Sequence, residues 1–130
     1  MGALMNYKRL LIIDDSEIDR QILKNILGID FEIVEAENGF KGLEVLTDKS
    51  IRIDGVLLDL HMPIMDGFHV LELMKANNIM DVPIVIITAE STEENLIKTM
   101  EYNIRDFICK PFDQDLIRGR MRTMFHIKWV

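Results

Sequence analysis

Several polar residues stand where apolar runs stop. LLIID ends on Asp14, with Asp15 behind it, and VLLD ends on Asp59, followed at once by LHMPIMDG. VIIT ends on Thr88, with Ala89 behind it, and FIC leads to Lys110, with Pro111 behind it. Runs of this length and composition are strand candidates, so each polar residue closes a strand. Taken singly, an acid there is a turn former or a helix cap. Thr88 alone is a β-favouring core residue, and Lys110 alone a surface charge. The joint placement at four strand ends reverses those odds, because no packing reason requires all five together. Three converging carboxylates repel one another unless something positive sits among them. Hard divalent cations prefer oxygen, and Mg²⁺ takes one or two carboxylates, waters and a phosphate oxygen. Lys110 adds a second positive charge, so a phosphoryl group between metal, ammonium and hydroxyl would be well neutralised. A carboxylate can itself take the phosphoryl as nucleophile. Asp59 suits that role, as a single acid on a central strand beside the strand 1 pair.

For these residues to meet, the strands must be parallel neighbours, and the rest of the chain supports that. Residues 8–14, 31–36, 55–60, 83–89 and 105–110 read as strands, each followed by a helical pattern. Ser16 is an N-cap, and Asp19 stands where a capping-box acid would. Ile18, Ile22, Leu23 and Ile26 form the expected inward face of the first helix. Phe40, Leu43 and Leu46 do so for the second, and Phe68, Leu71, Met74 and Lys75 mark the third. Ser91 or Thr92 caps the fourth. The last runs from about Asp113 with Ile117, Met121, Met124 and Phe125 inward, and Asp66 caps the third. Strands that are apolar throughout are covered on both faces. The expected fold is therefore α/β, a (βα)5 doubly wound three-layer sandwich with a parallel sheet in the order 2-1-3-4-5, of the flavodoxin-like kind. Its switch point lies between strands 1 and 3, where such folds bind ligands at the strand C-terminal ends.

Composition narrows the class. The 130 residues are 48% hydrophobic and 28% charged, enough for one domain with a real core. No apolar run nears the ~20 residues of a membrane span, and no secretory leader pattern is present. Residues 1–4 read as an addition ahead of a natural start at Met5. The single cysteine, Cys109, permits no internal disulfide, fits a cytoplasmic setting and is expected as a buried thiol. A net charge of −7 argues against nucleic acid or acidic membrane as a general partner. Bases gather from Arg105 onward (Lys110, Arg118, Arg120, Arg122, Lys128), where a solvated helix face is favoured over a docking surface. His69 and His126 have no metal-ligand partners at useful spacing, and the nine methionines read as core filler.

LLIIDDS, DLHMPIMDG, IITA and KPF, in this order and separation, resemble the receiver domain of bacterial two-component response regulators, including the chemotaxis-regulator kind. The likeness runs from about Lys8 to about Phe125. It implies a phosphorylation-dependent switch rather than an enzyme, with Asp59 accepting a phosphoryl group from a phosphohistidine of a sensor kinase or phosphotransfer protein. It implies Mg²⁺ held by Asp14, Asp15, Asp59 and the backbone carbonyl of His61. Thr88, with Ala89, would turn to the phosphoryl, Lys110 would pair with it, and Lys110-Pro111 would be cis. Phe107 matches the aromatic switch position, and His61 and Glu90 the positions that tune phosphoryl lifetime. The signal would leave through helix 4, strand 5 and helix 5, towards an output domain, a downstream protein or a second copy. Residues 126–130, with apolar Ile127, Trp129 and Val130, are expected to pack on the domain or on another copy, or to start a helix to an output domain.

The chain departs from that pattern at Asn103-Ile104, where the family often has Gly-Ala, at Gly42, where alanine is common, and at Phe107, which lacks the commoner tyrosine hydroxyl. A Mg²⁺-dependent aspartate-nucleophile phosphohydrolase is the competing reading. Such enzymes usually carry a second aspartate two residues after the nucleophile, and His61 stands there. A flavin module would want a Ser/Thr/Gly-rich loop after strand 1, where DDSEIDR places acids instead.

Overall fold

Each apolar run is a strand and the segment after it a helix. In the computed structural model, which describes residues 7–90 and 92–127, the order is β1 (Arg9–Ile13), α1 (Glu17–Leu27), β2 (Glu32–Ala36), α2 (Gly39–Thr47), β3 (Gly55–Asp59), α3 (Gly67–Ala76), β4 (Ile84–Thr88), α4 (Glu93–Thr99), β5 (Ile104–Cys109) and α5 (Gln114–Met124). Local chemistry explains where the helices start. Ser16, Asn38, Asp66, Thr92 and Asp113 are extended N-caps, each accepting the backbone N–H three residues on.

The strands pair in parallel in the order β2-β1-β3-β4-β5. Alternate residues feed opposite faces. Leu10, Ile12, Leu57, Val85, Ile87 and Ile108 pack with Leu23, Ile26 and Leu27 of α1 and Ile117 and Met121 of α5. Leu11, Ile13, Val56, Leu58 and Ile86 pack with Val70, Leu71 and Met74 of α3 and with Leu43 and Leu46 of α2. Both faces are thus buried, which is why these strands read as unbroken apolar runs.

Four expectations change. The inward face of α1 is centred on Leu23 and Leu27, leaving Ile18 73% and Ile22 40% exposed. Phe40 also points outward, and α2 instead buries Gly39 and Gly42. Gly42 is therefore more than a weak helix residue. A Cβ there would run into Ile13 Cδ1, so its absence lets α2 sit close on β1. Cys109, at the last position of β5, is exposed rather than buried. The late basic residues mostly tie α5 down rather than form an open face. Arg122 grips Asp30 through two bonds of 2.7 and 3.1 Å, Arg120 pairs with Asp106, and Arg118 donates to the Ile26 carbonyl.

Asn103-Ile104 is accommodated without left-handed backbone. The non-glycine residues with positive φ among those described are Ile64, Asn78 and His126. The Asn103 carbonyl accepts the Ile84 N–H, and β5 slips register by one residue after Ile104. At the other end, α5 stops at Met124. His126 turns left-handed, and the Ile127 N–H closes onto the Arg122 carbonyl at 2.8 Å, which ends the helix. Ile127 packs on the α1–α5 side of the core, as the reading in which the tail packs on the domain expects. The readings of residues 1–4, Ser91 and residues 128–130 lie outside the described residues.

Candidate functional site

The parallel sheet brings the C-terminal ends of β1, β3, β4 and β5 to one rim, with the β1/β3 switch point at its middle. Asp14 follows β1 and is fully buried, Asp59 closes β3 and is nearly so, and Asp15 is exposed. One carboxylate oxygen from each lies within 4.8 Å of the others. Lys110 follows β5 and reaches across the rim. Its Nζ stands 2.9 Å from Asp14 Oδ2 and 3.5 Å from Asp59 Oδ2.

The loop after β3 shapes the rest. The His61 N–H donates to Asp59 Oδ1 at 3.2 Å. The Met65 N–H closes onto the Pro63 carbonyl at 2.8 Å around Ile64, which is 92% exposed and holds φ at 69°. Asp66 caps α3, as expected, and Gly67 lets the helix start against the strand end. A Cβ on Gly67 would stand 2.6 Å from the Asp59 carbonyl oxygen and 2.8 Å from Leu60 Cα.

The electrostatics follow from burial and neighbours. Burial, then the Asp14 charge, push the Asp59 carboxyl up to about 6, against the lowering effects of Lys110 and the His61 N–H. For Lys110, burial works to lower the ammonium pKa, but the close carboxylates of Asp19 and Asp14 and the charge of Asp59 outweigh it and hold the pKa above the ordinary lysine value. The fit to a hard cation is good. The three acids offer oxygen only, and Asp14 Oδ2 is buried without a hydrogen bond of proper geometry, although the ammonium is at ion-pair distance. No other group of three or more His, Cys, Asp or Glu side chains with this spacing occurs among the described residues.

Other expected site residues stand near but are differently engaged. The Thr88 hydroxyl is buried and committed to its own loop, donating to the Glu90 carbonyl and accepting the Glu90 N–H. Ala89 and Glu90 are exposed. His61 Nε2 faces Glu90 Oε2 at 3.9 Å, both side chains at least half exposed. Phe107 is half-buried against the α2–α3 side of the core. The Lys110–Pro111 bond is cis.

One residue was missed. Asp19 Oδ2 lies 2.8 Å from Lys110 Nζ, the shortest of the lysine's three carboxylate contacts. Its capping-box reading half holds. The Asp19 backbone N–H donates to Ser16 Oγ, but the Ser16 N–H goes to Asp14 Oδ1 instead of to Asp19. The sequence carried no signal beyond an acid one turn after the Asp14-Asp15 pair, because the partner lies on a distant segment.

The chain resembles known proteins along almost its full length. It is 32% identical over 110 residues to the sensor histidine kinase CheAY of Helicobacter pylori, covering 83% of this chain and 14% of that protein. It is 29% identical to the chemotaxis protein CheY1 of the same species, covering 89% of this chain and 95% of that protein. A solved CheY-like response regulator receiver domain protein from Methanospirillum hungatei superposes with a TM-score of 0.79 at 29% identity, covering 92% and 94% of the two chains. The family model described as the response regulator receiver domain matches residues 10–122, which include Asp14, Asp15, Asp59, Thr88 and Lys110. By motif order, sheet order, rim chemistry and this match together, the chain belongs to the response regulator receiver domain family.

Proposed function

We propose that Asp59 is the phosphoacceptor of a signalling switch, taking its phosphoryl group from a phosphohistidine on a sensor histidine kinase or phosphotransfer protein. The observation that carries this reading is the Asp59 carboxylate set between two acids of oxygen-only chemistry and one lysine ammonium. In the transfer, an Asp59 carboxylate oxygen forms the new P–O bond while the P–N bond to the donor imidazole breaks. A bound Mg²⁺ would neutralise the phosphoryl oxygens, held by Asp14, Asp15, Asp59 and the His61 carbonyl. The His61 N–H keeps one Asp59 oxygen oriented, and Lys110 offers its charge to the transferred group.

The response then depends on Thr88 exchanging its Glu90 partners for the phosphoryl, with Ala89 giving room and Phe107 repacking. His61 and Glu90, across the mouth, tune how long the group survives. The chain acts on itself alone, accepting the group from a donor and losing it slowly. It works in the cytoplasm as the receiver part of a larger response regulator and signals through the α4–β5–α5 face to an output domain, a downstream protein or a second copy. Arg120 and Asp106 on that face pair within the chain.

The phosphohydrolase reading is the weaker one. His61 holds the position of the acid/base, and its ring faces Glu90. Intact mass after incubation with Mg²⁺ and phosphoramidate or acetyl phosphate tests the proposal. One added phosphoryl group is expected, absent in Asp59→Asn. Multiple turnover of phosphate esters with no adduct would overturn it.

A further inference from the structure

Lys110 is shared among more carboxylates than it can serve once a phosphoryl group arrives. Its ammonium has three protons to give, and Asp19, Asp14 and Asp59 lie at 2.8, 2.9 and 3.5 Å. The Asp59 contact has hydrogen-bond geometry but is the longest, so the ammonium rests closer to Asp19 and Asp14 than to the phosphoacceptor. Asp14 is on the rim as a fully buried acid, with one oxygen grouped with those of Asp15 and Asp59. Asp19 is different. It sits on the first turn of α1, is half-buried, and its carboxylate neither completes the capping box nor belongs to the three-acid group. Lys110 is the partner the structure gives it.

We propose that Asp19 is a positioning residue that holds the Lys110 ammonium in reserve and competes with the phosphoryl group for it. This rests on Asp59 being the phosphoacceptor. Asp59 and Asp19 claim the same ammonium from different sides, one from β3 and one from α1. As negative charge accumulates on Asp59, Lys110 moves towards it and the 2.8 Å pair with Asp19 lengthens or breaks. The lost ion pair is a constant cost on the phosphorylated state and none on the resting state, so Asp19 biases the switch towards rest.

The test uses trifluoroberyllate, a non-hydrolysable phosphoryl mimic, titrated into the full chain at saturating Mg²⁺ and followed by calorimetry. Mg²⁺ affinity is measured separately, so that loss of a nearby acid does not masquerade as a change in anion binding. Asp19→Asn keeps the backbone N–H that bonds to Ser16 and removes only the charge. It is expected to bind the mimic about three- to tenfold tighter than wild type, and Asp19→Ala likewise. Glu17→Gln removes an exposed acid from the same helical turn, one with no contact to Lys110, and is expected to stay within about twofold. A purely structural role for Asp19 would weaken binding or leave it unchanged, and either result overturns the proposal. Equal tightening in Glu17→Gln also overturns it, by reducing the effect to general charge. Wild type that binds no mimic at all overturns the phosphoacceptor reading itself.

Discussion

At Asp59 the carboxylate is worse placed in the fold than in water, and the causes are its burial and the neighbouring Asp14 charge. The folded protein therefore holds a proton there up to about pH 6, whereas an unfolded aspartate releases it near 3.8. Between those values the folded state binds more protons, so stability falls as pH rises through the window and stays lower above it. Without metal, Asp59→Asn should therefore be more stable than wild type at pH 7.5, by about 1–2 kcal/mol after solvent screening is allowed for. The gain should shrink towards zero near pH 4, where wild type is itself neutral at this position. Urea unfolding in a chelating buffer at several pH values measures it, and a gain independent of pH would show that packing, not charge, is the cause. Adding Mg²⁺ should narrow the gap, since the cation stabilises the three-acid site more than its two-acid variant. The site is thus built at the expense of the resting fold, which is the ordinary signature of a functional cluster.

At the scale of single elements, two helical glycines have opposite surroundings. Gly67 opens α3, and a Cβ would stand against the backbone of Asp59 and Leu60, neither of which can move without shifting the end of β3. Gly119 is mid-helix in α5, and a Cβ there meets nothing within 4 Å. Gly119→Ala should therefore raise stability by about 0.5–1 kcal/mol. Gly67→Ala should lower it by about 1–3 kcal/mol and weaken Mg²⁺ binding through the displaced Asp59. Denaturation midpoints and a Mg²⁺ titration of the two variants check this, and a stable Gly67→Ala with unchanged metal affinity would contradict it. The same glycines mark how much was legible in advance. Strand identity and most helix starts follow from periodicity and local chemistry, which are properties of neighbours in sequence, and sheet order from general rules on crossover connections. The face of α1 was misjudged because Ile18, Ile22, Leu23 and Ile26 and the observed Leu23, Ile26 and Leu27 are both acceptable helical stripes. Only docking on Leu10 and Ile12 chooses between them. Gly42 fitting against Ile13 and Asp19 meeting Lys110 are likewise contacts between distant segments, invisible until the fold is built. Asp14, Asp15, Asp59, Thr88 and Lys110 were readable because each closes a strand or follows one within two residues, and parallel topology alone gathers strand ends.

Across the whole molecule, the two ends of the sheet divide the labour. The C-terminal rim carries Asp59, whose charge opposes folding, and Lys110, whose charge offsets part of that cost. The N-terminal rim carries pairs that support folding. Arg122 on α5 holds Asp30, in the turn between α1 and β2, through two hydrogen bonds, with both side chains largely covered. Beside it, Phe125 meets the Phe31 ring edge-on at 5.5 Å, and Arg118 reaches the Ile26 carbonyl. These contacts tie the last helix to the first across one face of the sheet. Removing the acid would leave a largely buried guanidinium short of its bidentate partner, a loss that far exceeds that of an exposed pair. Asp30→Ala should lower stability by about 2–3 kcal/mol. Glu94→Gln, which breaks the exposed Lys98–Glu94 pair on α4, should change it by less than about 0.5 kcal/mol. Because Asp30 lies at the opposite end of the strands from Asp59, Asp30→Ala should leave Mg²⁺ and trifluoroberyllate affinities within about twofold of wild type. Asp59→Asn should do the reverse, losing the mimic while gaining stability. Urea midpoints and calorimetric titrations on the two variants measure both axes. If Asp30→Ala loosened the metal site as much as the fold, α5 docking would be part of the switch, and the division between the two rims would be wrong.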